Sequence, residues 1–371
     1  MSDARPLRVL TIGPAPLSAD SRGGMATVLT LMAAHPDPRV SIRVVPTYAD
    51  HGVVRRTLLG VRGMLLASAL VMAGRADVLH VHLAHGGSVV RKALPLAAAR
   101  LRGVPTVVHE HSYDFAGWFD GLPPRVQTLV RRAVAADVWL VLADHHVADF
   151  GGRLGMDERR VHVLHNPVEL ARGVEAPRAR PPGRVVQAVS LGRLGHRKGS
   201  YDVVAAVALL PADMRARLRV VLAGDGEIDE VRRAVDDAGV GDVVEVRGWQ
   251  DPAERDALTR ASQVFLLPSY EEGLPMAMLE AMAQGLAPVV SPVGGIPDVV
   301  RDEVEGLLVE PGDVTALSTA IRRLVEDDEL RVRVASAALS RSKHFDVDGW
   351  YDDLTDLWIR LVDRRRDRPR R

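Results

Sequence analysis

The feature that most limits what this chain can become is an alternation, run through twice. Short stretches of strand-forming residues are each followed by a glycine- or proline-bearing turn and a longer segment of helical periodicity. The pattern predicts strands at 7–13, 40–45, 77–82, 104–111 and 137–142, and again at 185–191, 218–223, 243–247, 264–267 and 287–291. Helices are expected between them, among them 57–73, 88–101, 201–210 and 227–238. Such alternation predicts an α/β fold of two doubly wound parallel sheets, each binding ligands beyond the carboxyl ends of its strands. Between the halves, residues 172–184 (RGVEAPRARPPGR) lack apolar periodicity and have the composition of a linker. The expected division is therefore 1–171, a linker at 172–184, a second domain at 185–344, and a closing helix with a basic tail at 345–371.

Composition narrows the chemistry. The chain has no cysteine, which excludes disulfides, thiolate metal sites and cysteine nucleophiles and is compatible with a reducing cytoplasm, the expected location. The segment 7–13 reads as a first strand rather than a secretory signal. The longest apolar run, 64–73, is about half the length needed to span a bilayer. It reads as a core helix, with an interfacial helix as the alternative. Net charge is zero, yet residues 1–168 hold 19 Lys+Arg against 13 Asp+Glu, and residues 184–344 hold 19 against 26. The basic first half gives either a weak pull toward phospholipid or a lipid-linked phosphate, or an incidental imbalance. No nucleic-acid partner is expected.

The most informative stretch is 262–290. A strand at 264–267 leads through Gly273 and Pro275 into a helix at 276–284, which Gly285 stops before the next strand. Glu272 lies in the loop and Glu280 in the helix, eight residues on. That offset spans roughly 12 Å, comparable to the distance between the two hydroxyl-bearing ends of a sugar nucleotide. The helix start between them favours phosphate. Standing alone, the two glutamates would more readily be surface acids on an amphipathic helix.

In the first half, Gly23-Gly24 ends a loop and opens a helix, an arrangement that lets backbone approach an anion but lacks a full dinucleotide fingerprint. Strand alternation puts His80 with His82, and His109 with His111, on a shared face near strand carboxyl ends. Histidines hydrogen-bonded within the domain are the expected outcome, and metal ligation the minor alternative. Residues 115–124, with Trp118, Phe119 and Pro123-Pro124, read as a mobile loop whose aromatics either pack down or meet a sugar face. In the tail, Trp350, Tyr351, Leu354, Leu357 and Trp358 stand at helical spacing.

The pattern Glu272-Gly273-Leu274-Pro275 with Glu280 eight residues on, together with Gly192-Arg193-Leu194-Gly195-His196-Arg197-Lys198-Gly199, resembles glycosyltransferase family 4, the retaining nucleotide-sugar transferases of GT-B fold, and its exopolysaccharide-type members in particular. The resemblance implies two Rossmann-like domains facing a cleft, with the closing helix crossing back to the first. It implies that Arg193 and Lys198 face the donor phosphates, with Gly192 easing close approach. Glu272 and the backbone of Gly273, Leu274, Pro275 and Met276 would hold the donor sugar and phosphate, and Glu280 the ribose. It places His111, with His109 as the fallback, against the donor sugar, Gly23-Gly24 near the diphosphate, and Trp249 beside the base. Pro275 lacks an N–H, so one backbone donor is missing.

The expected reaction is transfer of a hexose from a UDP- or GDP-sugar to a glycan or lipid-linked acceptor, with retention by front-face attack. No cofactor or metal is expected, and fixed cations stabilise the departing diphosphate. The only Asp-x-Asp, at Asp346 and Asp348, reads as a helix cap. An inverting transferase of the same fold and a non-catalytic sugar-nucleotide scaffold are the alternatives. Peripheral contact with the inner face of an anionic membrane is a further expectation.

Overall fold

Runs of β-branched and aliphatic residues, buried on both faces, build two parallel sheets of six strands. The computed structural model describes residues 5–18, 21–50, 52–170, 177 and 184–367. Most of the expected linker (172–176 and 178–183) and the end of the basic tail (368–371) lie outside these described residues. The chain divides into two units, 1–166 with 347–371, and 167–346.

Unit 1 begins with β1 (Leu7–Pro14), α1 (Gly24–Ala33), β2 (Val40–Tyr48) and α2 (Val53–Met72). It continues with β3 (Val78–Leu83), α3 (Gly87–Arg102), β4 (Thr106–Glu110), α4 (Phe115–Asp120) and α5 (Pro124–Ala133). It then adds β5 (Val138–Val141), α6 (His146–Leu154) and β6 (Val161–Val163). The sheet order is β2-β1-β3-β4-β5-β6, so the chain reverses direction across the sheet between β1 and β3. That point is where ligands enter an open α/β sheet. Leu10, Ile12, Leu79, Val81, Val108 and Trp139 are fully buried in its core.

Unit 2 has the strands β7 (Val186–Leu191), β8 (Leu218–Ala223), β9 (Val244–Arg247), β10 (Val264–Leu267), β11 (Ala287–Val290) and β12 (Leu307–Leu308). Its helices are α7 (Ser200–Ala208), α8 (Ala212–Arg215), α9 (Ile228–Asp237), α10 (Pro252–Ala261), α11 (Met276–Ala283), α12 (Ile296–Val299), α13 (Val314–Glu326) and α14 (Asp328–Ser342). The order β12-β11-β10-β7-β8-β9 puts the reversal between β7 and β10. A separate core of Ala188, Val220, Leu222, Leu266 and Val289 fills this unit.

The closing helix α15 (Val347–Arg366) belongs to unit 1. Asp346 precedes it and Asp348 lies in its first turn, the end where a helix dipole favours acids. Its buried face is Trp350, Tyr351, Leu354, Trp358 and Leu361, each contributing roughly 1.5–3 kcal/mol by burial. Tyr351 donates its hydroxyl to the Leu31 carbonyl of α1, and Thr355 Oγ1 lies 2.9 Å from His35 Nε2.

Two expectations need correction. Residues 115–124 are not a loop: Phe115–Asp120 is helix α4, capped by Asp114, with Phe115 and Phe119 in the core against Trp139 and Phe150. An aromatic-rich segment folds inward because burial outweighs the missing periodicity of a six-residue helix. The apolar run 64–73 is likewise not a core helix all round. It is the second half of α2, whose Leu65, Leu66 and Met72 face solvent.

Candidate functional site

In unit 2, the reversal between β7 and β10 brings two loops together. Gly192 follows β7 and turns at φ +140°, and Gly224 passes so close that a Cβ there would sit 1.7 Å from the Gly192 carbonyl. Gly199 turns at φ +67° against Pro268, where a Cβ would meet the Pro268 carbonyl oxygen at 2.2 Å. This contact locks the loop after β7 to the loop after β10. The Tyr270 N–H donates to the Arg197 carbonyl at 2.9 Å, and Arg197 Nη1 donates to the Glu271 carbonyl at 2.9 Å.

Within that frame Lys198 Nζ pairs with Glu272 Oε1, and Ser269 Oγ donates to the same oxygen at 2.8 Å. Their side chains are 17% and 6% exposed, so this ion pair is screened far less than a surface one. Arg193 is exposed and makes no ion pair among the described residues, which leaves its guanidinium available to an incoming anion.

Beyond Glu272 the chain turns through Gly273 and buried Leu274, and Pro275 stands immediately before α11. Met276 begins the helix. Its first N–H groups have no carbonyl one turn back and form an anion-favouring end. Gly294, at φ +56°, packs under this turn: a Cβ would lie 2.0 Å from the Glu272 carbonyl oxygen. The Gly295 N–H donates to the Gly273 carbonyl at 2.6 Å.

Glu280 is half-buried on α11 and pairs with Arg255 of α10 at 3.4 Å. Burial raises its carboxyl above the usual carboxylate range; Arg255 opposes this and Glu169 adds to it. Trp249 is half-buried just beyond β9.

In unit 1 the corresponding reversal is lined by histidines. His82 of β3 pairs across the sheet with His109 of β4, which puts His80, His82, His109 and His111 on one face. Ring centroids of His109 and His111 are 4.2 Å apart, and His82 Nδ1 lies 2.9 Å from His111 Nε2. Gly13 of β1 makes room beside this stack, since a Cβ there would come within 3.1 Å of His82 Cβ. His111 sits one residue past β4, where β4 stops at Glu110.

Burial holds the His80 and His111 imidazoles down at about 3 and pushes His82 and His109 well below their usual range. All four are neutral near pH 7. The His80 Nδ1 accepts from Trp358 Nε1 at 3.2 Å, so its proton is on Nε2. Gly23 turns at φ +91° as the residue before α1, and Gly24 opens that helix.

His80, His82 and His109 bring one ring nitrogen each within 4.8 Å of one another. Imidazoles sharing one ion about 2.0–2.1 Å away would stand about 3.3 Å apart, so this set has the donor chemistry of a transition-metal site at a looser spacing.

Reading the sequence missed Ser269, the Gly294-Gly295 brace, Arg197, Lys92 and Glu110. A glycine pair in the loop after β11, separated from the strand's end by three residues, was the available signal for the brace. Lys92 is buried on α3 and donates to Ser88 Oγ at 3.1 Å, with burial bringing its ammonium down to about 7. Burial raises the Glu110 carboxyl, while its Oε1 accepts from the Ser112 N–H. Neither carries a motif.

Comparison with known proteins agrees with this architecture. Residues 176–341 match the family model of glycosyl transferases group 1, and residues 19–172 match that of glycosyltransferase family 4. A D-inositol 3-phosphate glycosyltransferase of Nocardioides sp. is 30% identical over 330 residues, covering 81% of this chain and 70% of the relative. An Escherichia coli UDP-Gal:alpha-D-GlcNAc-diphosphoundecaprenol alpha-1,3-galactosyltransferase is 25% identical over 316 residues, covering 79% and 78%. Among solved structures, HepE of Anabaena in complex with UDP-glucose superposes with a TM-score of 0.72 at 17% identity, over 95% of this chain and 99% of that one. The two six-stranded parallel units are those of the GT-B fold. The chain belongs to glycosyltransferase family 4, the group 1 glycosyl transferases.

Proposed function

We propose that this glycosyltransferase moves a hexose from a nucleoside-diphosphate sugar to a glycan or lipid-linked acceptor, with retention of anomeric configuration. The observation that carries the reading is the cluster of half-buried Lys198 with buried Glu272 and Ser269 at the β7/β10 reversal, beside exposed Arg193. As the glycosidic bond breaks, negative charge collects on the departing diphosphate. A guanidinium and an ammonium held there lower the barrier without reorganising during the reaction. Glu272, freed as Lys198 turns to phosphate, accepts from hexose hydroxyls. The first N–H groups of α11 face phosphate or hydroxyl oxygens, and Glu280 accepts from the ribose. Trp249 flanks the base, and Gly192 admits the diphosphate.

Unit 1 contributes neutral His111 as a hydrogen-bonding group for the donor sugar, supported by His109, and the Gly23-Gly24 turn. Acceptor attack comes from the face the diphosphate leaves, and the diphosphate takes the acceptor proton. No metal takes part at the diphosphate, because the two cations fill that role. A UDP-sugar is favoured over a GDP-sugar by the names of two similar proteins, one a UDP-galactose transferase and one solved with UDP-glucose. The first of these also favours a lipid-linked acceptor, and with it a peripheral membrane position.

Lys198→Ala and Glu272→Ala test the reading. Each lowers turnover at least about a hundredfold, and chelation with EDTA leaves wild-type turnover unchanged. Full activity in both variants overturns the assignment. NMR of the product's anomeric proton distinguishes retention from inversion.

A further inference from the structure

Fifteen large apolar side chains are exposed among the described residues, and twelve of them stand on α2, α3 and α5 of unit 1. These helices are neighbours, α2 packing on α3 and α3 on α5. Along α2 the exposed positions Val54, Leu58, Val61 and Leu65 recur at three- and four-residue steps, and Met72 extends them. They form one stripe roughly 27 Å long. The side facing the sheet is made instead of Gly60, Gly63, Ala67, Leu70 and Val71, which are buried. On α3 the outward positions Val90, Leu94 and Leu101 repeat the spacing, with Leu101 at 76% exposure. A soluble monomer rarely leaves so much contiguous apolar surface uncovered.

Charge identifies the partner. The three helices carry ten Lys and Arg residues and no Asp or Glu. Arg55, Arg62, Arg100, Arg102, Arg125 and Arg132 are exposed around the apolar positions. The connections β1→β2 and β2→β3 run in opposite directions across the sheet, so right-handed crossovers put α1 and α2 on opposite faces. The α1 face is covered by α15, whose exposed positions include Asp352, Asp353 and Asp356. Helix α15 also exposes Arg360, Arg364 and Arg366, so acids and bases are mixed on that side, whereas α2, α3 and α5 present basic side chains and exposed apolar ones with no acid among them. A second copy of the chain docking here would set like charges against each other. No described helix is long and apolar enough to cross a bilayer.

We propose that the α2–α3–α5 face docks on an anionic membrane, its leucines and valines entering the interface and its arginines meeting lipid phosphates. The inference deepens the proposal of a lipid-linked acceptor, and rests on that reading only for its use.

The test is co-sedimentation of the full chain with vesicles of phosphatidylcholine, alone or mixed with phosphatidylglycerol. The chain partitions onto the mixed vesicles and is released by salt. The double variants Leu58→Ser/Leu65→Ser and Arg55→Ser/Arg62→Ser each lower partitioning at least about tenfold. Both keep wild-type hydrolysis of donor in solution. If no donor is turned over while vesicle binding persists, the transferase reading fails and the docking face stands. Failure to bind mixed vesicles, binding unchanged in both variants, or a dimer in light scattering that Leu58→Ser/Leu65→Ser splits would each overturn the proposal.

Discussion

Replacing His80 by glutamine isolates how the histidine stack ties unit 1 to pH. His80 is fully buried, and its imidazole titrates at about 3 in the fold, against about 6.5 in an unfolded chain. Unfolding is thus favoured by proton uptake as pH falls below 6.5: the folded pKa is depressed, so stability is present above that value and lost on the way down to 3. At pH 5.5 the unfolded histidine gains about 1.4 kcal/mol from protonation, at pH 7.5 about 0.1, so this one residue costs about 1.3 kcal/mol over the interval. Glutamine removes the titration while its carbonyl oxygen still accepts from Trp358 Nε1. Four of the five tryptophans, at 118, 139, 350 and 358, lie in unit 1, so intrinsic fluorescence during urea unfolding reads that unit. Between pH 7.5 and 5.5 the wild-type midpoint should fall by about half a molar more than that of His80→Gln. Every other titrating group, including Glu110 with its opposite sign, cancels in the comparison. Identical shifts in the two proteins would refute the claim that His80 is held neutral by burial.

Gly294→Ala should destabilise unit 2 by roughly 2–4 kcal/mol, since the new methyl group would press on the Glu272 and Gly273 carbonyls at a positive φ. Calorimetry should show the unit-2 transition lowered by several degrees, with turnover reduced at least about tenfold by the displaced Glu272 loop. An unchanged transition would remove the brace from the account. Glu280 gives a pH signature: its carboxyl is raised by burial, so it loses the charge needed to accept from ribose hydroxyls at a higher pH than an ordinary glutamate. Donor affinity by calorimetric titration should weaken as pH falls toward that raised value, and Glu280→Gln should flatten the profile. A wild-type profile flat from pH 7.5 to 5 would show that Glu280 does not hold the donor.

Local chemistry was legible in the chain. β8 and β10 lie at their expected residues, and the other expected strands differ by one to three residues at an end, because dense β-branched runs between glycines and prolines leave few alternatives. The turn from β10 to α11, with Gly285 at φ +76° ending the segment, was equally readable. Lys198 and Glu272 were singled out, and they meet in one ion pair.

What no window of sequence contains is strand order. Lys198 and Glu272 are 74 residues apart, and they meet because β10 pairs with β7 rather than with its predecessor β9. That choice is made by sheet pairing and helix packing across the whole unit. The four histidines form one stack for the same reason: β3 and β4 are in register at His82 and His109. Burial is the other decision left to the tertiary structure. The run 64–73 is far more apolar than the aromatic segment at 115–124, yet it leaves Leu65, Leu66 and Met72 in solvent along α2, while the other segment lies in the core through Phe115 and Phe119. Hydrophobicity sets what apolar surface seeks, and only the packed fold decides which of it has been covered.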